Sequence, residues 1–272
     1  IGFTATASKL AAGGFTSSAT AVDVLTTALN AYGLEAGQAE SISDMLITTQ
    51  NLGKTTVDEL AASVGKVIPL ASAYGVEMDN LSAAYAELTK GGIATAEAGT
   101  YLKSMLNELG DSGSTVNEVL SEMTGQSFAQ LIEHGYSLGD IMAVLGESVN
   151  GNAGAFNELW SSSEAGIGAL ALYNAGAEQF NSTLDAMQTS IGATESAYST
   201  MTDTTAHAQE ELSNAAENLK IAIGQNLNPL VEKLYGLGTK VLNGMSQFAQ
   251  EHPVAVKAIS AIGIGLGVAA TA

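Results

Sequence analysis

The sequence has no cysteine and only three prolines, and aromatic residues make up 6% of its 272 positions. It also has no arginine. Without cysteine there is no disulfide, no thiolate nucleophile and no cysteine-ligated zinc. Without arginine, nine lysines face 28 acids, for a net charge of −19. From Ser104 to Leu219 there is no lysine or arginine at all, against sixteen acids. Such a surface repels nucleic acid, because phosphate binding works through Lys and Arg that release counterions. It repels anionic lipid headgroups for the same reason. Two readings stay open: an ordinary acidic surface, or one that must not adhere to DNA.

Alternating runs of β-branched residues are also missing, so no sheet is expected. What is present is helical periodicity. Leu25, Ala28, Leu29 and Tyr32 fall at i, i+3, i+4, i+7. So do Leu81, Ala84, Tyr85 and Leu88, and Leu102, Met105, Leu106 and Leu109. That spacing puts each set on one face of a helix. With aromatics scarce, Ala, Leu, Val and Ile must fill the core; Met78, Phe128 and Trp160 are expected to join it.

Capping boxes are read at Thr56 to Glu59, Thr115 to Glu118, Ser127 to Gln130 and Ser161 to Glu164. Gly33, Gly53, Gly75, Gly91-Gly92, Gly110, Gly125 and Gly135 read as helix stops. Together they predict helices at 16–32, 36–51, 57–74, 78–90, 95–109, 115–124, 127–134, 138–149, 152–160 and 164–175. The fold class is all-α: a compact multi-helix domain over 1–202, a long helical arm over 203–253, and the start of a hydrophobic segment over 254–272. The first residues, "IGFTATASKL", carry neither Met nor a signal pattern, and the last lie in an apolar run. Both ends read as cut from something longer. An echo, "AYGLE" at Ala31 and "AYGVE" at Ala73, reads either as duplicated helical hairpins or as chance in an Ala-rich chain.

Chemistry is scarce. His134, His207 and His252 each stand alone, with no second His at i+4 to share a metal. His134 is expected at a helix end, where a cation suits the dipole. Asp58-Glu59 and Glu210-Glu211 are adjacent acids rather than a pair set across a groove, as glycoside cleavage needs. Gly265-Leu-Gly267-Val-Ala-Ala270 fits a loose dinucleotide pattern but lacks the strand before it and the helix after it. No catalytic residue, cofactor or metal is expected. Residues 254–272 read either as the start of a membrane span or as a buried Ala- and Gly-rich helix. Gly263 and Gly267 stand at GxxxG spacing. With Ile259, Ile262 and Leu266 they form the candidate membrane or helix-packing set.

From Gly14 to Leu109 the chain resembles the core region of phage tail tape measure proteins, of the type found in long-tailed phages and prophages of Gram-positive bacteria. The resemblance is carried by "LNAYGLE", then "ISDML", then "TTVDELAASVGKVIPLASAYGVEMDNLSAAYAELTKGGI", then "AGTYLKSML", in that order and spacing. "LWSSSEAGIGALALYNAG", from Leu159, is similar to a later part of that region, although Ser161 follows Trp160 where the family commonly has Gly. The resemblance is densest over 14–109, thinner to about 190 and general beyond.

It implies an extended, mostly helical molecule whose length sets the tail length and whose hydrophobic part helps the genome cross the host membrane. It further implies tail-tube protein, tail assembly chaperones and distal tail proteins as partners, in the virion tail assembled in the bacterial cytoplasm. Homo-oligomer formation and contact with the host membrane stay open; no specific nucleic acid is implied. Even if wholly helical, the chain reaches only about 400 Å at 1.5 Å per residue. The segment is therefore read as a folded module on the ruler. Two other classes stay in view: a membrane-inserting pore-former, and a cell-wall hydrolase for which no active site is found.

Overall fold

Residues 2–203 are described by the structure, a computed structural model, and every regular element among them is helical. The expected arm and hydrophobic segment lie outside these residues, apart from Asp203. The helices are α1 Gly2–Gly13, α2 Ser18–Tyr32, α3 Ala39–Leu52, α4 Val57–Val64, α5 Ile68–Ala73, α6 Met78–Lys90 and α7 Thr95–Gly110. Then come α8 Thr115–Thr124, α9 Phe128–Glu133, α10 Leu138–Ser148, α11 Ala153–Glu158, α12 Ser163–Ala175, α13 Ala177–Gln188 and α14 Ala193–Thr202. Most expected helices form with ends shifted by about two residues or fewer.

The differences have local causes. The helix expected over 57–74 breaks into α4 and α5, because Pro69 sits in the first turn of α5 and could not continue α4. The helix expected from 36 opens as a 3-10 turn, Ala36–Gln38. The box expected at Ser161 moves one residue on: Ser162 caps α12 by accepting from the Ala165 N–H. Ser114, not Thr115, caps α8. The boxes at Thr56 and Ser127 form as expected. Gly110 ends α7 as its last helical residue, with Asp111 as the cap.

The echo resolves into a corner. After α2, Gly33 turns left-handed and the Leu34 N–H donates back to the Leu29 carbonyl at 2.8 Å. After α5, Gly75 does the same and the Val76 N–H reaches Ala71 at 2.9 Å. Two further corners with a glycine at the turn repeat the bond, from Ile93 to Leu88 and from Tyr136 to Leu131. In each, the next residue (Glu35, Glu77, Ala94 or Ser137) is extended and starts the following helix. The pattern returns the chain sharply while satisfying carbonyls that a helix end leaves open.

α6 is the centre. Eleven of its 13 residues are buried, including Leu81, Ala84, Tyr85 and Leu88. A helix buried on all sides must be apolar or internally satisfied all round. Accordingly, the Tyr85 and Ser63 hydroxyls meet at 3.0 Å, and Thr89 donates to the Tyr85 carbonyl at 2.8 Å. Around α6 pack α3, α5, α7, α12 and α13. Met78, Phe128 and Trp160 are all in the core. Trp160 lies tilted on Phe156, which stacks on Tyr173 at 4.8 Å.

The first and last of the described helices lie together. Lys9 pairs with Glu195, and Gly13 is so close to α14 that a Cβ there would sit 2.9 Å from that of Ala197. Both pairings advance in the same direction along the two helices, so α1 and α14 run side by side in the same sense.

Candidate functional site

Carboxylates are the dominant polar groups, yet only two meet a lysine among the described residues: Glu195 with Lys9, and Glu87 with Lys90 at 3.5 Å. The Lys9 ammonium is held charged to a higher pH than usual by its hydrogen bond to Glu195 and then by that acid's charge. The pair is exposed and contributes little to stability.

Several acids work as latches on backbone and side-chain donors. Asp44 is buried and accepts from the Gly192 and Thr194 amides at 2.9 and 2.8 Å, holding the start of α14. Glu108 accepts from the Ser161 and Ser162 amides at 2.7 and 2.9 Å, at the start of α12. Both place a negative charge where a helix offers free N–H groups and a positive dipole end. α13 is held by three more. Asp79 accepts from Gln188 at 2.8 Å, Asp140 from Asn181 at 2.8 Å, and Glu87 from Gln179 at 3.3 Å.

The residues singled out from sequence are equally engaged. Asp58 accepts from Thr16 at 2.8 Å, and Glu59 closes the Thr56 capping box and accepts from Thr95 at 3.2 Å. His134 stands at the end of α9 as expected, its Nδ1 2.9 Å from the Gln126 side-chain oxygen. His207, His252, Glu210, Glu211 and the set Ile259, Ile262, Gly263, Leu266 and Gly267 lie outside the described residues. Among the described residues no group of three or more His, Cys, Asp or Glu could hold a metal. No helix there is long and apolar enough to cross a membrane.

One surface feature stands apart from the latches. Two hollows, of about 550 and 710 Å³, meet at Glu77, Asp79 and Gln188. The first has Ile42, Met45, Met78 and Met187 on its walls, with Ile191 at its edge. The second is walled by Tyr74, Ile132 and Leu184, with Tyr136 and Glu133 at its edge. Ile191 is 90% exposed and Tyr136 41% exposed. Among the described residues no lysine lines either hollow. The negative field is felt by Tyr32, whose phenol is pushed above its ordinary range first by burial and then by the charges of Asp79 and Glu77. Sequence reading missed this groove: its walls come from segments far apart in the chain, and although Tyr32, Ile42, Met45 and Glu77 lie in motifs it singled out, no local pattern joins them.

Comparison with known proteins bears on all of this. Residues 1–128 match the family model of phage-related minor tail proteins. A probable tape measure protein of Clostridium phage phiCD119 is 32% identical over 245 residues, which are 88% of this chain and 26% of that protein. The tape measure protein of Pneumococcus phage Dp-1 is 26% identical over 243 residues, 87% of this chain and 21% of that protein. The chain thus spans about a quarter of the length of the curated relatives it matches. No solved structure matches.

Proposed function

Proceeding from this chain's kinship with phage tail tape measure proteins, we propose that it is a structural, non-catalytic module of a phage tail, folded onto the ruler rather than forming it. The observation that carries the reading is the side-by-side course of α1 and α14. Lys9 stands opposite Glu195, with seven residues from Gly2 to Lys9 and seven from Glu195 to Thr202. At 1.5 Å per residue the chain therefore advances only about 20 Å between entering α1 and leaving α14. The same stretch as one straight helix would measure about 300 Å.

In this proposal residues 1–202 are the compact module, 203–253 a helical arm and 254–272 the start of a hydrophobic segment. The parent protein lies in the virion tail, with tail-tube protein, assembly chaperones and distal tail proteins around it, and the module serves assembly or release. The acid latches support a non-catalytic role, since they engage side chains that a hydrolase would need free.

The test is an in-frame deletion of residues 2–202 in a phage that encodes this chain, with tail length measured by electron microscopy. The expected result is tails shortened by about 20 Å, or failure of assembly with the protein otherwise expressed. Shortening near 300 Å would overturn the module reading and leave the tail reading intact. Absence of the protein from purified tails of the parent phage would overturn both.

A further inference from the structure

We infer that the groove formed by the two hollows is a docking site for a cationic amphipathic helix of a partner protein. The proposal stands on the groove itself and does not rest on the tail reading.

The walls supply the apolar part of the fit. The half-buried Met45 lines one half, together with the buried Met78 and Met187. Methionine is flexible and polarizable, and suits a surface that must close around a partner's side chains. Ile132 and Leu184 line the other half. Each half has an exposed hydrophobic at its edge, Ile191 or Tyr136, which water penalises until something covers it. Ile191 sits in the turn between α13 and α14, immediately before Gly192, whose amide Asp44 holds. It is thus presented on a fixed turn.

The rim supplies the charge. Glu77 and Glu133 are exposed and make no ion pair among the described residues. Asp79 adds its charge between the two hollows while bonded to Gln188. Among the described residues no lysine stands on the lining to neutralise these acids. That charge decides among occupants. A second copy of this chain would bring like charges together, and anionic lipid or nucleic acid would be repelled. A helix with an apolar stripe flanked by Lys or Arg answers both features, and laying such a helix in a groove between helices is a recurrent mode of recognition.

The experiment uses the whole 272-residue chain. A fluorescein-labelled Leu/Lys amphipathic helical peptide is titrated with it by anisotropy, beside a Leu/Glu peptide of the same pattern. The expected result is saturable binding of the Lys peptide below about 100 µM and none of the Glu peptide. Glu77→Lys with Glu133→Lys should weaken binding about tenfold or more, and Ile191→Asp several-fold. Glu118→Lys with Glu122→Lys makes the same change of charge on the exposed side of α8 and should weaken it less than about twofold. Thermal melts show that each variant folds; none of these side chains is buried.

Equal weakening by the α8 pair would overturn the proposal, since it would mean diffuse attraction to an acidic surface. So would unchanged binding in Ile191→Asp, or no binding by the parent chain.

Discussion

The Tyr32 hydroxyl donates to the Val76 carbonyl oxygen across 3.0 Å, tying the corner that follows α2 to the corner that follows α5. Ser72 adds a second tie, to the Ala31 carbonyl at 2.7 Å. The two echoed motifs are therefore bonded to each other. Tyr32→Phe removes the donor, keeps the ring and leaves a carbonyl short of a partner. A loss of about 1 kcal/mol is expected, or about 2–4 °C in Tm. A melt identical to that of the parent would show that the bond contributes nothing.

Gly110→Ala should reverse the usual order of helix propensity. In an exposed helix, alanine is favoured over glycine by about 1 kcal/mol. At Gly110 a new Cβ would fall 2.0 Å from the Tyr74 ring, which stands edge-on to Phe128 at 6.2 Å. The ring has to move, so a net loss of about 1–3 kcal/mol is expected in chemical denaturation. A gain in stability would show that Tyr74 swings away freely.

Asp44 should govern how firmly α14 is seated. Asp44→Ala strips the acceptor from the Gly192 and Thr194 amides, with an expected loss of about 2–3 kcal/mol. Asp44→Asn keeps one acceptor oxygen and should lose less. Limited proteolysis between α13 and α14 reads the effect directly. Equal cleavage of the parent and both variants would dismiss the latch.

Alkali should find the core through its tyrosines. Burial pushes the phenol of Tyr85 above its ordinary range, although its bond to Ser63 pulls the other way. Tyr32 is shifted in the same direction. Because both values are raised in the folded state, the stability they confer is complete below the unfolded value of about 10. It is lost as pH rises through the folded one. Phenolate absorbance should show these two ionising only together with unfolding, above the ordinary phenol value of about 10. All eight tyrosines titrating together while the fold persists would contradict this.

What could be read in advance divides by physical cause. α6 was legible to the residue because an apolar face recurs along it and Gly91-Gly92 closes it. The break between α4 and α5 was written in Pro69, but the apolar spacing continues across it and hides the stop. α1, α13 and α14 were not expected. α1 is mostly Gly, Ala, Thr and Ser, with little contrast between its faces. α13 owes its place to polar side chains such as Asn181 and Gln188, whose acid partners lie 41 and 109 residues away. No local pattern announces a bond of that span. The groove was hidden for the same reason, since Tyr32, Glu77 and Met187 meet only once α13 is seated.

The common direction of α1 and α14 also decides how this domain answers a pull. Tension applied before Gly2 and beyond Thr202 draws the two helices past each other along their length. The contacts around Lys9 and Glu195, and those of Gly13 with Ala197, are then loaded together and must give together. Had α14 run the other way, the same pull would have peeled the helices apart one turn at a time. The pairing of α1 with α14 is a shear joint, and it lies where a stretched chain would place its load.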